Sequence, residues 1–125
     1  MSMRDIPWQT VIEQANRDGE FRIAARLWNA TLRLDVGERS VLLAVTDGAI
    51  RAAGPCDRGS PCDASVAGAA EEWEHLLERV PRPLHQDLFG GITLGRFQLE
   101  GDRDAFYAYY PAVRRLVDLV REARR

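Results

Sequence analysis

The spacing of apolar and polar positions changes several times along this chain, and each change marks an element. Trp8, Val11, Ile12 and Ala15 recur at intervals of three and four, which predicts a first helix that begins after Pro7 and ends near Asp18-Gly19. Phe21, Ala24 and Leu27 predict a short second helix over Glu20–Leu27. The period then falls to two. Trp28, Ala30, Leu32, Leu34 and Val36 alternate with Asn29, Thr31, Arg33 and Asp35, the pattern of a long strand with a polar outer face. Gly37-Glu38-Arg39 turns the chain, and the nearly all-apolar Ser40–Thr46 predicts a strand inside a sheet with both faces covered. Asp47-Gly48 is a two-residue hairpin signal before a third strand at Ala49–Ala53, so an antiparallel meander is expected. After a loop, Asp63–Gly68 serves as a fourth strand built from small residues.

Ala70, Trp73, Leu76, Leu77 and Val80 predict an amphipathic helix stopped by Pro81 and Pro83. A short helix over Leu84–Gly90 is expected to carry Leu88 and Phe89 inward and to end at Gly90-Gly91. In Arg96–Val120 a strand, with Phe97 and Leu99 on its apolar face, feeds straight into a helix. Phe106, Tyr109, Tyr110, Val113, Leu116, Val117 and Val120 form one face of that helix, which must fold back over something apolar. Either aspartate of Gly101-Asp102-Arg103-Asp104 can cap it, and Pro111 predicts a bend near Tyr110. The elements describe a single α+β domain over residues 1–125.

Composition narrows the chemistry. With 17 basic and 19 acidic residues and a formal charge of −2, nothing in the balance draws the chain to nucleic acid or an anionic membrane. Arg114, Arg115, Arg121, Arg124 and Arg125 crowd the C-terminus, where they are expected to offset a helix dipole. Every Lys-or-Arg position is arginine, which excludes a Schiff-base lysine, a pyridoxal-phosphate anchor and a P-loop lysine. MSMRDIPWQT has no apolar run after its charge and no 18-residue apolar stretch follows, so a soluble cytoplasmic protein without stable membrane insertion is expected. Cys56 and Cys62 are read as free thiols in an exposed loop, with a disulfide or two thiolate ligands as the alternatives. No metal and no cofactor is expected.

Catalytic patterns are scarce: the chain has no GxSxG, HExxH or CxxC, and no GxGxxG after a strand. His75, among Glu71, Glu72, Glu74 and Glu78, reads as a solvated surface residue. His85 lies beside Asp87 in PRPLHQDLF, where a carboxylate could orient the imidazole towards a ligand or where the histidine could brace the loop. Large aromatics on the expected inner faces are interleaved with Ala30, Ala44, Gly68 and Gly95, a distribution that suits either a cavity or a filled core.

The ordered set FRIAARLWNATLRLDV, the turn and strand pair ending in TDGAI, AGAAEEWEHLL, and GRFQLEGDRDAFYAYYPAVRRLV resembles the sterol carrier protein type 2 family over about residues 15–120. The resemblance implies a five-stranded mixed sheet with helices packed on one side, enclosing an apolar tunnel for sterols, fatty acids or acyl-CoA. The closest relatives expected are stand-alone bacterial members. The cysteine-containing insertion departs from the family pattern, and no lysine is present to hold a CoA phosphate.

These readings converge on a carrier of a lipid, steroid or other apolar molecule held between the sheet and the C-terminal helix. The expected lining is Trp28, Leu32, Leu34, Phe89, Phe97, Leu99, Phe106, Tyr109, Tyr110 and Val113, with His85 and the tyrosine hydroxyls giving polarity. Two alternatives stay open: an enzyme using His85 and Asp87, or a tyrosine, as acid and base in the same cavity, and an interaction module that docks or exchanges the C-terminal helix. A homodimer is compatible with the sequence.

Overall fold

The structure, a computed structural model, describes residues 6–124. The readings of Met1–Asp5 and of Arg125 lie outside the described residues. The chain runs α1 (Trp8–Arg17), α2 (Gly19–Ala24), β1 (Ala30–Val36), β2 (Arg39–Thr46), β3 (Ala49–Cys56), β4 (Ala64–Gly68), α3 (Ala70–Leu76), α4 (Leu88–Thr93), β5 (Phe97–Gly101), α5 (Arg103–Ala108) and α6 (Tyr110–Ala123). Its α+β architecture is one five-stranded mixed sheet in the order β3-β2-β1-β4-β5. β1 and β4 are parallel, and every other neighbouring pair is antiparallel. The meander turns at Asp47-Gly48, both with positive φ, whose twist matches that of the flanking strands.

Register explains the core. Pairings of Leu34 with Val41 and Val66, and of Val66 with Leu99, run one buried apolar row across four strands. The period-2 side chains of this face need a cover, and α6 supplies it with Val113, Leu116 and Val120. Asp18 caps α2 and Asp102 caps α5, each accepting a backbone N–H in the first turn. Pro111 stands in the first turn of α6, and the break after α5 falls at Tyr109, where the bend was expected.

Several expectations are corrected. Asp35 is buried at 4% exposure instead of facing water, because Arg33 Nε donates to it at 2.9 Å and the Ser40 hydroxyl at 2.6 Å. β2 lies inside the sheet, but its second face is only half covered, since Leu42 and Ala44 keep partial exposure. α2 ends at Ala24, so Leu27 takes a positive φ and turns outward. α3 stops at Leu76 and leaves Val80 exposed. α4 begins only at Leu88, after its cap Asp87, and continues through Gly90-Gly91. A Cβ on Gly91 would stand 2.5 Å from the Phe97 ring, so the missing side chain there admits a close contact and does not end the helix. The shifted helix start turns Leu88 inward and leaves Phe89 outside, 48% exposed. Cys56 and Cys62 are free thiols, half-buried where exposure was expected.

The C-terminal arginines do more than face a helix dipole. Arg115 binds Asp18 through two hydrogen bonds of 2.8 and 3.0 Å, joining α6 to the α1–α2 corner. Arg121 donates to the carbonyls of Leu76 and Gln86, Arg124 to that of Leu77, and Arg96 to that of Leu84. These contacts satisfy the Leu76 carbonyl at the end of α3 and the Leu77, Leu84 and Gln86 carbonyls of the long segment between α3 and α4.

Candidate functional site

Between the sheet and α6 lies a void of about 30 Å³, whose twelve lining residues are all apolar. Leu32, Leu34 and Leu43 form its floor, Val113, Leu116, Val117 and Val120 its roof, and Ile6, Trp8, Trp73, Leu77 and Leu88 its ends. A space of this size is large enough for a water, but its apolar walls give a water no partner. Among the described residues, the layer beneath α6 is largely filled by its own side chains.

Leu32, Leu34 and Val113 are brought to this wall from the residues expected to line a site. The others are placed differently. Trp28 stacks on Tyr109 at 5.5 Å, and Phe97 meets Trp73 edge-on at 4.8 Å. Leu99 and Phe106 are buried in the same core without reaching the void. Phe89 packs against Tyr107 and Tyr110 from outside. Sequence reasoning missed the other nine wall residues, Ile6, Trp8, Leu43, Trp73, Leu77, Leu88, Leu116, Val117 and Val120, although the apolar spacing had marked all but Ile6; the Val113, Leu116, Val117, Val120 stripe was the plainest signal available.

His85 and Asp87 do not form a pair. Asp87 accepts from the Tyr110 hydroxyl and caps α4 at the Phe89 amide, while that amide also donates to the Tyr110 oxygen at 2.7 Å. Burial first, and then the bond to Asp87, raises the Tyr110 phenol above its ordinary value of 10.0, so it stays protonated at neutral pH. His85 instead faces Glu72, 3.8 Å from Nδ1 to Oε2, and stands 5.1 Å ring to ring from His75. It does not line the void. Among the described residues no group of three His, Cys, Asp or Glu side chains could hold a metal ion, and no helix is long and apolar enough to cross a membrane.

A neighbouring pocket of about 300 Å³ opens between β1, the β1–β2 turn, α3 and the end of α6. It shares Ile6, Trp73 and Leu77 with the void, so those side chains belong to the walls of both spaces.

The arrangement of strands and covering helices has close parallels among solved structures. A crystal structure of sterol carrier protein 2 is similar to this chain with a TM-score of 0.80 and 21% identity, covering 98% of this chain and 97% of that one. The chain has a sterol carrier protein 2-like fold. A conserved hypothetical protein of Thermus thermophilus, suggested to be a sterol carrier protein, matches that SCP2-like fold at a TM-score of 0.75 and 23% identity over 92% of this chain and 84% of its own. A UbiJ-SCP2 ubiquinone synthesis protein matches at 0.58 and 21% identity over 90% of each chain. No protein-family model and no curated protein matches the sequence. At these identities the likeness establishes the fold, and function has to be argued from the site.

Proposed function

We propose that this chain binds and carries an apolar small molecule, a sterol or steroid, a fatty acid or another lipid, in the layer between the sheet and α6. The observation that carries the reading is the wholly apolar void beneath α6. The names of the similar structures, two of them sterol carrier proteins or suggested as such, point the same way. The void is far smaller than a hydrocarbon guest, so loading requires α6, or the segment from α3 to α4, to move away from the sheet. Burying about eight methylenes yields roughly 6 kcal/mol gross at about 0.8 kcal/mol each, and the costs of opening and association are subtracted from that. The apolar stripe of α6 is consumed by its own core, with Val113, Leu116 and Val120 buried, which weighs against a docking role for that helix. The reading includes a cytoplasmic location, where Cys56 and Cys62 stay reduced. Native mass spectrometry after gentle purification, followed by titration with fatty acids and steroids, tests it. A bound lipid or saturable binding is the expected result; a chain that retains and binds none of them contradicts the carrier role.

A further inference from the structure

Between α3 and α4 the chain runs from Glu78 to Asp87 without one buried side chain, and Val80 and Leu84 face outward at 80% and 70% exposure. The buried residues that flank this segment, Leu77 and Leu88, both belong to the wall of the void beneath α6. Moving the segment therefore uncovers the void at the expense of two leucines. Lifting α6 instead would uncover Ala112, Val113, Leu116, Leu119 and Val120 and break the fork between Asp18 and Arg115. A stretch with few buried apolar contacts opens at a lower free energy than an element that carries the core, so opening falls to the segment.

Polar contacts hold the segment down. Arg96 donates to the Leu84 carbonyl at 2.6 Å, the Tyr110 hydroxyl donates to Asp87, and His85 faces Glu72 at 3.8 Å. Arg121 alone of these groups spans the excursion. Its Nε donates to the Leu76 carbonyl at 2.8 Å and a terminal nitrogen to the Gln86 carbonyl at 2.7 Å, so one guanidinium ties the end of α3 to the approach to α4. The other terminal nitrogen meets Asp118 on α6 at 3.0 Å, and the side chain is only 13% exposed. A planar guanidinium serves these acceptors together through a preorganised fork. We propose that residues 78–87 are the gate by which the carried molecule enters the layer beneath α6, and that Arg121 is the positioning residue that keeps the gate shut. The inference rests on the carrier reading and adds to it the route of entry. The two carbonyl bonds are lost on opening whether the layer is empty or loaded. Arg121 therefore sets the rates of entry and exit equally and leaves the affinity unchanged.

The experiment follows the binding of cis-parinaric acid and dehydroergosterol, a fluorescent fatty acid and a fluorescent sterol, to the full chain by stopped flow. The parent is compared with Arg121→Met, Arg96→Met and Arg115→Met, in which methionine keeps an unbranched apolar stem and removes the donors. Arg121→Met should speed association and dissociation at least about tenfold each, the worth of one hydrogen bond from a charged donor, with the dissociation constant unchanged within about twofold. Arg96→Met frees the Leu84 carbonyl without touching α6 and should also speed both rates; it carries the test if Arg121→Met does not fold. Arg115→Met loosens α6 at the α1–α2 corner and should leave both rates within about twofold of the parent, whereas a general loosening of the fold would raise them too. Binding of either probe at rates that neither Arg121→Met nor Arg96→Met changes overturns the gate and leaves the carrier reading standing. Rates that rise most in Arg115→Met assign the entry to α6 and likewise overturn the gate alone. Failure of both probes to bind the parent overturns the carrier reading and the gate with it.

Discussion

The ion pair between Asp18 and Arg115 joins α6 to the α1–α2 corner, where Arg115 Nε also stands 2.9 Å from Glu20 Oε2, and the cycle that starts by replacing Asp18 with asparagine separates the worth of the Asp18 pair. Asparagine is as good an N-cap as aspartate, so the cap on α2 survives while the negative charge is lost. The guanidinium meets the carboxylate through two nitrogens at 2.8 and 3.0 Å, and the side chains keep only 24% and 17% exposure. Fully exposed pairs contribute about 0.2–1 kcal/mol and hydrogen bonds to charged groups about 1.5–3, so this partly covered fork should be worth about 1.5 kcal/mol. That corresponds to a fall in melting temperature of roughly 6 °C for a domain of this length. The Arg115 hydrogen bond first, and the Phe21 amide second, hold the Asp18 carboxyl below its ordinary value of 3.8. Its contribution is therefore fully present above about pH 4 and disappears as the pH falls through the depressed folded-state value. Urea denaturation of the parent, Asp18→Asn, Arg115→Met and the double variant, from neutral pH downward, measures the coupling. A coupling below about 0.3 kcal/mol at neutral pH, or a gap between the parent and Asp18→Asn that does not shrink on acidification, would refute this account.

Three further outcomes are expected. Leu116→Ala enlarges the void beneath α6 and should cost about 3 kcal/mol by urea denaturation, while small apolar probes such as benzene or xenon begin to bind. Gly48→Ala places a Cβ 2.7 Å from the Ala25 carbonyl at a residue with φ +76°, and should cost about 2 kcal/mol; a loss under about 0.5 would show that the turn relaxes freely. The Tyr110 phenol ionises above its ordinary value of 10.0, so its contribution is complete below that pH and is lost as the pH rises through the higher folded-state value. Tyr110→Phe should remove the amplitude that titrates last in an ultraviolet absorbance titration, and loss of amplitude near pH 10 instead would show that the hydroxyl is not held by Asp87.

Pattern along the chain determined the elements and their buried faces. The alternation of Leu32, Leu34 and Val36, the Asp47-Gly48 turn, and the three-and-four spacing from Val113 to Val120 each reflect a local period, and a period can be read without knowing its partner. Helix ends were less legible: Val80 and Leu27 continue an apolar spacing, but the backbone leaves the helix before reaching them. Phe89 shows the cost of such an error, since a four-residue shift in the expected start of α4 turns its ring from the core to the surface.

What only the tertiary structure decided depends on groups distant in sequence. Asp35 looks like an outward strand residue until Arg33 and Ser40 close over it, and the C-terminal arginines look like a charged tail until Arg115 meets Asp18 and Arg121 and Arg124 reach the carbonyls after α3. The same holds for the space beneath α6. Sequence determined that a greasy sheet face and a greasy helix face exist, because burial follows from side-chain type and period. How closely they meet depends on the summed shapes of side chains from six or more separate segments, so only the folded chain shows that they leave about 30 Å³ and a neighbouring pocket.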